Sequence, residues 1–338
     1  MALDDRKKEK IARVVIKVLY SRFQSFPENA SENRNAPFHE AFLKAFSEKL
    51  DGRVQDIPDY ISLSSWLQGL NTSLGQTFFE SVAQILCDGE KRDFKNKEIY
   101  SNQLTAITEI MTDLKNGEEV PSQQREDSII YSKANGEKKT APQFTADCFY
   151  ETDNEVVAIE LKSVHPNSGE MRGEKQKILQ AKAVLSQMYP NKSVKYFFGF
   201  PFDPTSDSDD DIGYDKQRFL EYLVEGIKFL DQHEILIADE FWSFLANSEN
   251  AMNDILGIIN QIATPQFMDI YEQIQNIETI RDLNERKELF NNWYLFSESE
   301  IIDRLDRLSD NRSRRILRQQ IFSSDGKYNS KRLELLQR

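Results

Sequence analysis

The feature that most constrains the fold is a set of three apolar runs in the middle of the chain. The first two runs, 143–150 (QFTADCFY) and 155–163 (EVVAIELKS), are separated by a turn at 153–154, which predicts an antiparallel hairpin. The third run, 193–200 (SVKYFFGF), lacks polar alternation at its centre and follows a helical segment at 174–188. This is the pattern of a buried parallel strand that is reached through a crossover helix. The sequence therefore predicts an α/β fold with a mixed central sheet.

Other segments extend this arrangement. A run at 127–133 (DSIIYSK) precedes an Asn-Gly turn signal and predicts a third strand, which would complete an antiparallel meander. Helical spacing of apolar residues predicts helices before the sheet, at 6–24, 38–50, 73–87 and 98–115. Residues 214–338 are predicted to be mostly helical, with a strand at 234–238. We therefore expect three parts: a helical N-terminal part, a core and a mainly helical C-terminal part, over 1–72, 73–205 and 206–338.

The charge distribution limits how the chain can meet a polyanion. The chain has 338 residues and a formal net charge of −13, which excludes a protein that coats nucleic acid non-specifically. Two stretches, 161–195 and 303–338, nevertheless carry an excess of Lys and Arg. They favour contact with a polyanion at a defined place, although two solvated helix faces would give the same pattern.

Composition also limits the cofactors. The two cysteines and three histidines are scattered along the chain, which predicts neither a disulfide framework nor a metal site built on Cys or His. Carboxylates are therefore the available metal ligands. The chain has no membrane-length apolar run, no signal-peptide pattern, no Walker loop and no GxGxxG motif. We expect a cytoplasmic protein without a membrane partner or a nucleotide cofactor.

Two acids and a lysine are predicted to meet on the hairpin. Glu160 and Lys162 lie two positions apart on one strand, so their side chains share a face, and the turn brings Asp147 of the preceding strand near Glu160. The triplet acid-x-Lys recurs elsewhere, as at 93–95, but only here does it interrupt an apolar strand that follows an Asp-bearing strand. Carboxylates that hold Mg²⁺ beside a lysine can support phosphodiester hydrolysis. The alternative is a surface strand with an exposed Glu and Lys.

These residues carry a family resemblance. The string TADCFY, a turn and VVAIELKS resembles the PD-(D/E)XK nuclease motif, with Ala146 where the family name has Pro. The longer string IELKSVHPNSGEMRGEKQKILQAKA resembles the TdeIII family of type II restriction endonucleases. The resemblance implies a PD-(D/E)XK restriction-endonuclease-like core, in which helices flank a mixed central sheet, with helical N- and C-terminal additions.

The same resemblance implies an activity and its partners. It implies a bacterial or archaeal restriction-modification system in which the enzyme cuts double-stranded DNA at a short palindrome, with GGNCC as the family's site. A homodimer is the expected assembly, and a cognate DNA methyltransferase is expected as a genetic rather than a physical partner. The expected cofactor is Mg²⁺, for which Mn²⁺ could substitute.

The resemblance also assigns roles to residues. It implies a metal set of Asp147, Glu160 and Leu161, with Lys162 positioning the attacking water. It further implies a catalytic acid on the helix before the sheet. Glu80 is the first candidate for that acid and Glu109 the second, although a solvated helix face would explain Glu80 equally well.

DNA contacts are predicted for the loop and helix that follow the active strand. Seven residues are candidates: Asn167, Ser168, Arg172, Lys175, Gln176, Lys177 and Lys182. Lys175 and Lys182 are two turns apart on one helix side, which predicts a DNA-facing stripe, or else the polar side of an ordinary amphipathic helix. His165 could contact a phosphate, and the basic segment 312–318 could contact DNA or form a salt-bridged helix face.

Two other functions remain open at this point. A structure-specific repair or recombination nuclease could use the same three residues on the same core. A DNA-binding module with a decayed site is the alternative that is not an enzyme, and intact Asp147, Glu160 and Lys162 count against it.

Overall fold

The structure is a computed structural model. It describes residues 2–27, 41, 43–46, 50, 52, 57–162, 168–206, 212–276, 282–308 and 310–337. Most of the helix predicted at 38–50 lies outside these ranges. No helix within them is both long and apolar enough to span a membrane.

The elements are as follows. The helices are α1 Asp5–Gln24, α2 Ile57–Ser73, α3 Glu80–Cys87, α4 Ser101–Asn116, α5 Gln123–Ser132, α6 Ser168–Met188, α7 Lys216–Tyr222, α8 Gly226–Phe229, α9 Ala238–Ala246, α10 Ala251–Ile262, α11 Phe267–Gln275, α12 Leu283–Asn292, α13 Phe296–Asp303 and α14 Asn311–Leu317. The strands are β1 Glu90–Phe94, β2 Glu98–Tyr100, β3 Lys138–Thr140, β4 Phe144–Glu151, β5 Glu155–Leu161, β6 Ser193–Phe200 and β7 Ile235–Ile237. A π-helical turn, Leu74–Phe79, joins α2 to α3, and 3₁₀ turns occur at Lys44–Phe46, Gln232–Glu234, Leu305–Arg307 and Ser330–Gln337.

Five strands form one mixed sheet in the order β1-β4-β5-β6-β7. The pairs β1–β4 and β4–β5 are antiparallel, whereas β5–β6 and β6–β7 are parallel. The predicted mixed α/β fold is confirmed, because four of the predicted strands are present as β4, β5, β6 and β7. β2 and β3 form a separate antiparallel pair.

The centre of the sheet is apolar on both faces, which explains why its strands are readable in the sequence. Val156, Val157 and Ile159 of β5 are completely buried, as are Tyr196 and Phe198 of β6. Burying an aliphatic or aromatic side chain of this kind contributes about 1.5–3 kcal/mol. The crossover helix α6 packs against β6, so the predicted β5–helix–β6 unit is present.

The prediction of a strand at 127–133 is wrong, because these residues lie mainly in α5. The Ser122 side chain caps this helix by accepting a hydrogen bond from the Arg125 backbone N–H at 3.4 Å. Ile130 is buried, so the apolar residues that indicated a strand instead form the packed side of a helix. The antiparallel neighbour of β4 is β1, in which only Phe94 is buried.

The chain divides into two compact units. The first comprises Met1–Lys7 and Phe79–Leu256 and contains the five-stranded sheet. The second comprises Lys8–Phe78 and Gly257–Arg338 and is helical. Its interior includes the rings of Phe267 and Trp293, which stack with centroids 5.3 Å apart.

Candidate active site

The β4–β5 hairpin brings Asp147 and Glu160 together. Cys148 pairs with Ile159 in the antiparallel register, so one step further along the strands Asp147 lies opposite Glu160. Residues directly opposite each other on such strands have their side chains on the same face. The Leu161 backbone N–H donates a hydrogen bond to Asp147 Oδ2 at 3.1 Å, which fixes one carboxylate oxygen against the neighbouring strand.

The Glu160 carboxylate is the centre of a polar network. Its Oε1 lies 2.7 Å from Lys162 Nζ and 2.6 Å from Lys177 Nζ. Its Oε2 accepts a hydrogen bond from the Tyr196 hydroxyl at 3.2 Å. Lys162 Nζ is also 2.7 Å from Glu174 Oε1 of α6. The structure therefore holds Glu160 and Lys162 in contact and adds Lys177, Tyr196 and Glu174 to them.

The electrostatics keep Lys162 charged. Burial alone would lower the pKa of Lys162, but the carboxylates of Glu160 and Glu174 outweigh burial and raise this pKa above its ordinary value. Burial, together with Glu160, raises the pKa of the Tyr196 hydroxyl well above its ordinary value. At neutral pH the site therefore presents a charged ammonium on Lys162 and a neutral phenol on Tyr196, both in contact with Glu160.

The other oxygen of Asp147 contacts Lys91, a residue that the sequence pattern does not predict at the site. Asp147 Oδ1 lies 3.0 Å from Lys91 Nζ, and the same ammonium lies 3.0 Å from Glu80 Oε2 at the start of α3. Glu80 is thus joined to Asp147 through one shared cation. Glu109, the second candidate for the additional acid, is exposed on α4.

A β-bulge explains how Lys91 reaches the site. The β1–β4 register shifts between Glu90 and Arg92, where two residues of β4, Asp147 and Cys148, lie opposite Lys91 alone, so the bulge is in β4. Bulges often redirect a side chain next to active sites. Lys91 was not predicted from the sequence, because β1 is a charged edge strand without apolar alternation. The shift at the bulge cannot be read from the residue types alone.

The residues fit a hard divalent cation. Asp147, Glu160 and the carbonyl of Leu161 offer only oxygen donors, and Mg²⁺ binds one or two carboxylates while keeping several waters. The ammonium of Lys91 already bridges the carboxylates of Asp147 and Glu80, so this position attracts a cation. Within the described ranges, no group of three or more His, Cys, Asp or Glu residues is arranged to hold a metal ion.

The prediction of a DNA-facing stripe is wrong for Lys175 and Lys182, because both side chains are completely buried. Lys175 Nζ lies 2.5 Å from Glu126 Oε2 and 2.6 Å from Glu234 Oε2. Lys182 Nζ lies 2.9 Å from Asp127 Oδ1 and 3.9 Å from Glu234 Oε1. We call these five residues the buried ion cluster. Helical spacing correctly placed the two lysines on one side of α6, but that side faces acidic residues of the same unit.

The other candidates for DNA contact differ in position. Arg172 and Gln176 are exposed one turn apart on α6, whereas Lys177 contacts Glu160. Asn167 and His165 lie outside the described residues, as does the side chain of Ser168. The basic segment 312–318 lies largely in α14, where Arg312 pairs with Glu334 at 2.5 Å.

Comparison with known proteins identifies the family. The family described as "Type II restriction endonuclease, HinfI" matches residues 3–263 of the chain. The chain is also similar to the type II restriction enzyme MjaII of Methanocaldococcus jannaschii, with 41% identity over 96% of this chain and 94% of that protein. The resemblance to the TdeIII family is not supported by these matches, and the GGNCC target followed only from that resemblance. The chain belongs to the HinfI family of type II restriction endonucleases.

Proposed function

We propose that this chain hydrolyses double-stranded DNA at a short palindromic site with a PD-(D/E)XK-type core. The pairing of Asp147 with Glu160 across β4 and β5, with Lys162 in contact with Glu160, carries the proposal. The mixed sheet with α6 crossing from β5 to β6 supports the core assignment, and the HinfI family match supports the substrate class.

The proposed metal set is Asp147, Glu160 and the backbone carbonyl of Leu161, with Mg²⁺ as the ion and Mn²⁺ as a substitute. When bound, the ion would act as a Lewis acid on the phosphate and as a source of a more acidic water. The Leu161 N–H holds one oxygen of Asp147, which leaves the other oxygen to face a cation. Tyr196 orients Glu160 in the same way through its hydroxyl.

Lys162 supplies positive charge beside the scissile phosphate. Its ammonium is held between Glu160 and Glu174, and the side chain is only 11% exposed, so it is already positioned before DNA binds. A fixed cation in a shielded place stabilises developing phosphate charge and can orient a water by donating a hydrogen bond. Glu174 is accordingly a positioning residue, and Glu80 is proposed as the additional acid.

A palindromic target implies a two-fold assembly. A palindrome presents the same bases to two copies that are related by a two-fold axis, so we propose a homodimer with one site for each strand. Sedimentation of the chain with a DNA duplex would test this stoichiometry, and a single copy on a cleaved palindrome would contradict it.

Digestion of a plasmid in Mg²⁺ tests the proposal directly. We expect discrete fragments, and sequencing of their ends would give the target bases and the cut position. Glu160→Gln and Lys162→Met should each reduce the cleavage rate at least about a hundredfold, because removing one electrostatic stabiliser costs a factor of this order.

The matched controls lie on β5 and on its parallel neighbour β6. Glu155 of β5 pairs with Lys195 of β6 at 2.6 Å. We expect Glu155→Gln and Lys195→Met to leave cleavage almost unchanged. Cutting only at junctions or flaps would indicate a structure-specific nuclease instead. Unchanged cleavage by Glu160→Gln in Mg²⁺ would refute the site assignment.

A further inference from the structure

The two cysteines of the chain meet in the folded protein. Cys87 ends α3 and Cys148 lies in β4, and their Sγ atoms are 2.9 Å apart although 61 positions separate them in the sequence. Both are free thiols. A disulfide bond is about 2.05 Å long, so the two sulfurs need to approach by less than about 1 Å to form one.

The backbone around this pair holds the two sulfurs close. The Gln84 side chain donates a hydrogen bond to the Asp147 carbonyl at 2.9 Å, which fastens α3 to β4 one residue before Cys148. Gly89 lies two residues after Cys87, and a Cβ at this position would lie 2.8 Å from both Cys87 Sγ and the Phe149 carbonyl oxygen. The chain therefore passes β4 at a distance that only glycine allows. This packing limits how far the two thiols can separate.

The two thiols differ in accessibility. Cys148 is completely buried, whereas Cys87 is partly exposed. The hydrogen bond from Cys148, opposed by burial and helped by the Gly89 backbone, lowers the pKa of the Cys87 thiol. The thiol that a solution reagent can reach is therefore also the better nucleophile of the two.

We propose that Cys87 and Cys148 form an intrachain disulfide by exchange with a low-molecular-weight disulfide. The Cys87 thiolate attacks one sulfur of the reagent, the reagent's S–S bond breaks, and one thiolate leaves. Cys148 then attacks the Cys87 sulfur of the mixed disulfide and loses its proton, and the second reagent thiol is released. The two protein thiols are oxidised by two electrons, and the reagent is reduced to two thiols.

The test uses the full chain with oxidised glutathione under native conditions. Intact-mass analysis after alkylation in denaturant should show a monomer that has lost two hydrogens and carries no alkyl group. Peptide mapping should join Cys87 to Cys148. Because the bond closes a loop of about 60 residues, the midpoint of thermal unfolding should rise by about 5–10 °C and fall back when reductant is added.

Two variants serve as controls. Cys87→Ser and Cys148→Ala should each show no loss of hydrogens and no reductant-dependent change in the unfolding midpoint. The wild-type chain alone can overturn the proposal, in any of three ways: two alkylated thiols after oxidation, a stable glutathione adduct on Cys87, or chains linked to each other. The thiol state is read by mass, so the result does not depend on whether the chain cleaves DNA as proposed.

Discussion

Replacing Lys175 by Met tests whether this lysine stabilises the interior of the protein and does not contact DNA. The substitution removes the ammonium that lies between Glu126 and Glu234 but keeps a similar side-chain volume. All three side chains are completely buried, so water cannot solvate the two carboxylates that remain.

The magnitude follows from this burial. Removing one partner of a buried ion pair costs about 3–5 kcal/mol, because it leaves uncompensated charge in the interior. For a domain of this size, such a loss lowers the unfolding midpoint by about 10 °C. Gln176→Met is the matched control, since Gln176 is the next residue and is exposed, and it should change the free energy of unfolding by less than about 0.5 kcal/mol.

Urea denaturation followed by circular dichroism measures the free energy of unfolding in both variants. Partial recovery is expected in a Lys175→Met chain that also carries Glu126→Gln and Glu234→Gln, because the buried charges are then removed together. A DNA-binding titration over a range of salt concentrations separates the two interpretations. A residue that contacts phosphate would lower the salt slope by about one when it is removed. If Lys175→Met lowered the salt slope and left the free energy of unfolding unchanged, Lys175 would be a DNA contact and not an internal ion-pair partner.

Three further predictions concern Lys91, Arg172 and Glu126, which all belong to the unit that contains the five-stranded sheet. Lys91→Met should raise the affinity for Mn²⁺ severalfold, because the ammonium of Lys91 contacts Asp147; calorimetry without DNA measures this affinity. Lys95 pairs with Asp93 instead, so Lys95→Met should leave the affinity unchanged. Equal affinities of Lys91→Met and wild type would contradict this role of Lys91. Arg172→Ala should lower the salt slope of DNA binding by about one if this exposed side chain meets a phosphate, and an unaltered slope would exclude that contact. Burial raises the pKa of Glu126 above its ordinary value of 4.5. The contribution of Glu126 to the free energy of unfolding is therefore fully present below pH 4.5, and it declines as the pH rises through the raised pKa. The free energy of unfolding of Glu126→Gln, measured between pH 4 and 8, should therefore increase relative to that of the wild type as the pH rises. A difference between the two proteins that does not change with pH would contradict the raised pKa.

The central strands of the sheet could be predicted because their short apolar runs, bounded by turns, are typical of buried strands. β5 and β6 are apolar over most of their length, and a short turn fixes how β4 meets β5. The proximity of Asp147 and Glu160 then follows from strand geometry alone. These are local properties, so one sequence is enough to read them.

The parts that could not be predicted depend on contacts between distant segments. The residues of α5 have β-branched character, but a Ser122 cap and packing against α6 make them helical. The burial of Lys175 depends on Glu234, which lies 59 positions away in the sequence. Lys91 lies opposite Asp147 only because β4 is bulged at that point, and Lys91 itself belongs to a strand that the sequence hardly marks.

The two edge strands of the sheet also restrict how two copies could associate. An exposed edge offers unpaired amide and carbonyl groups to any other strand, and proteins prevent such pairing with charges and bulges. β1 is only five residues long and four of them are charged, while the opposite edge, β7, is only three residues long. Neither border offers a long regular ladder for another polypeptide to join. If two copies bind one palindrome, as proposed, we therefore expect them to contact each other through side chains of helices or loops. We expect no strand of one copy to pair with a strand of the other.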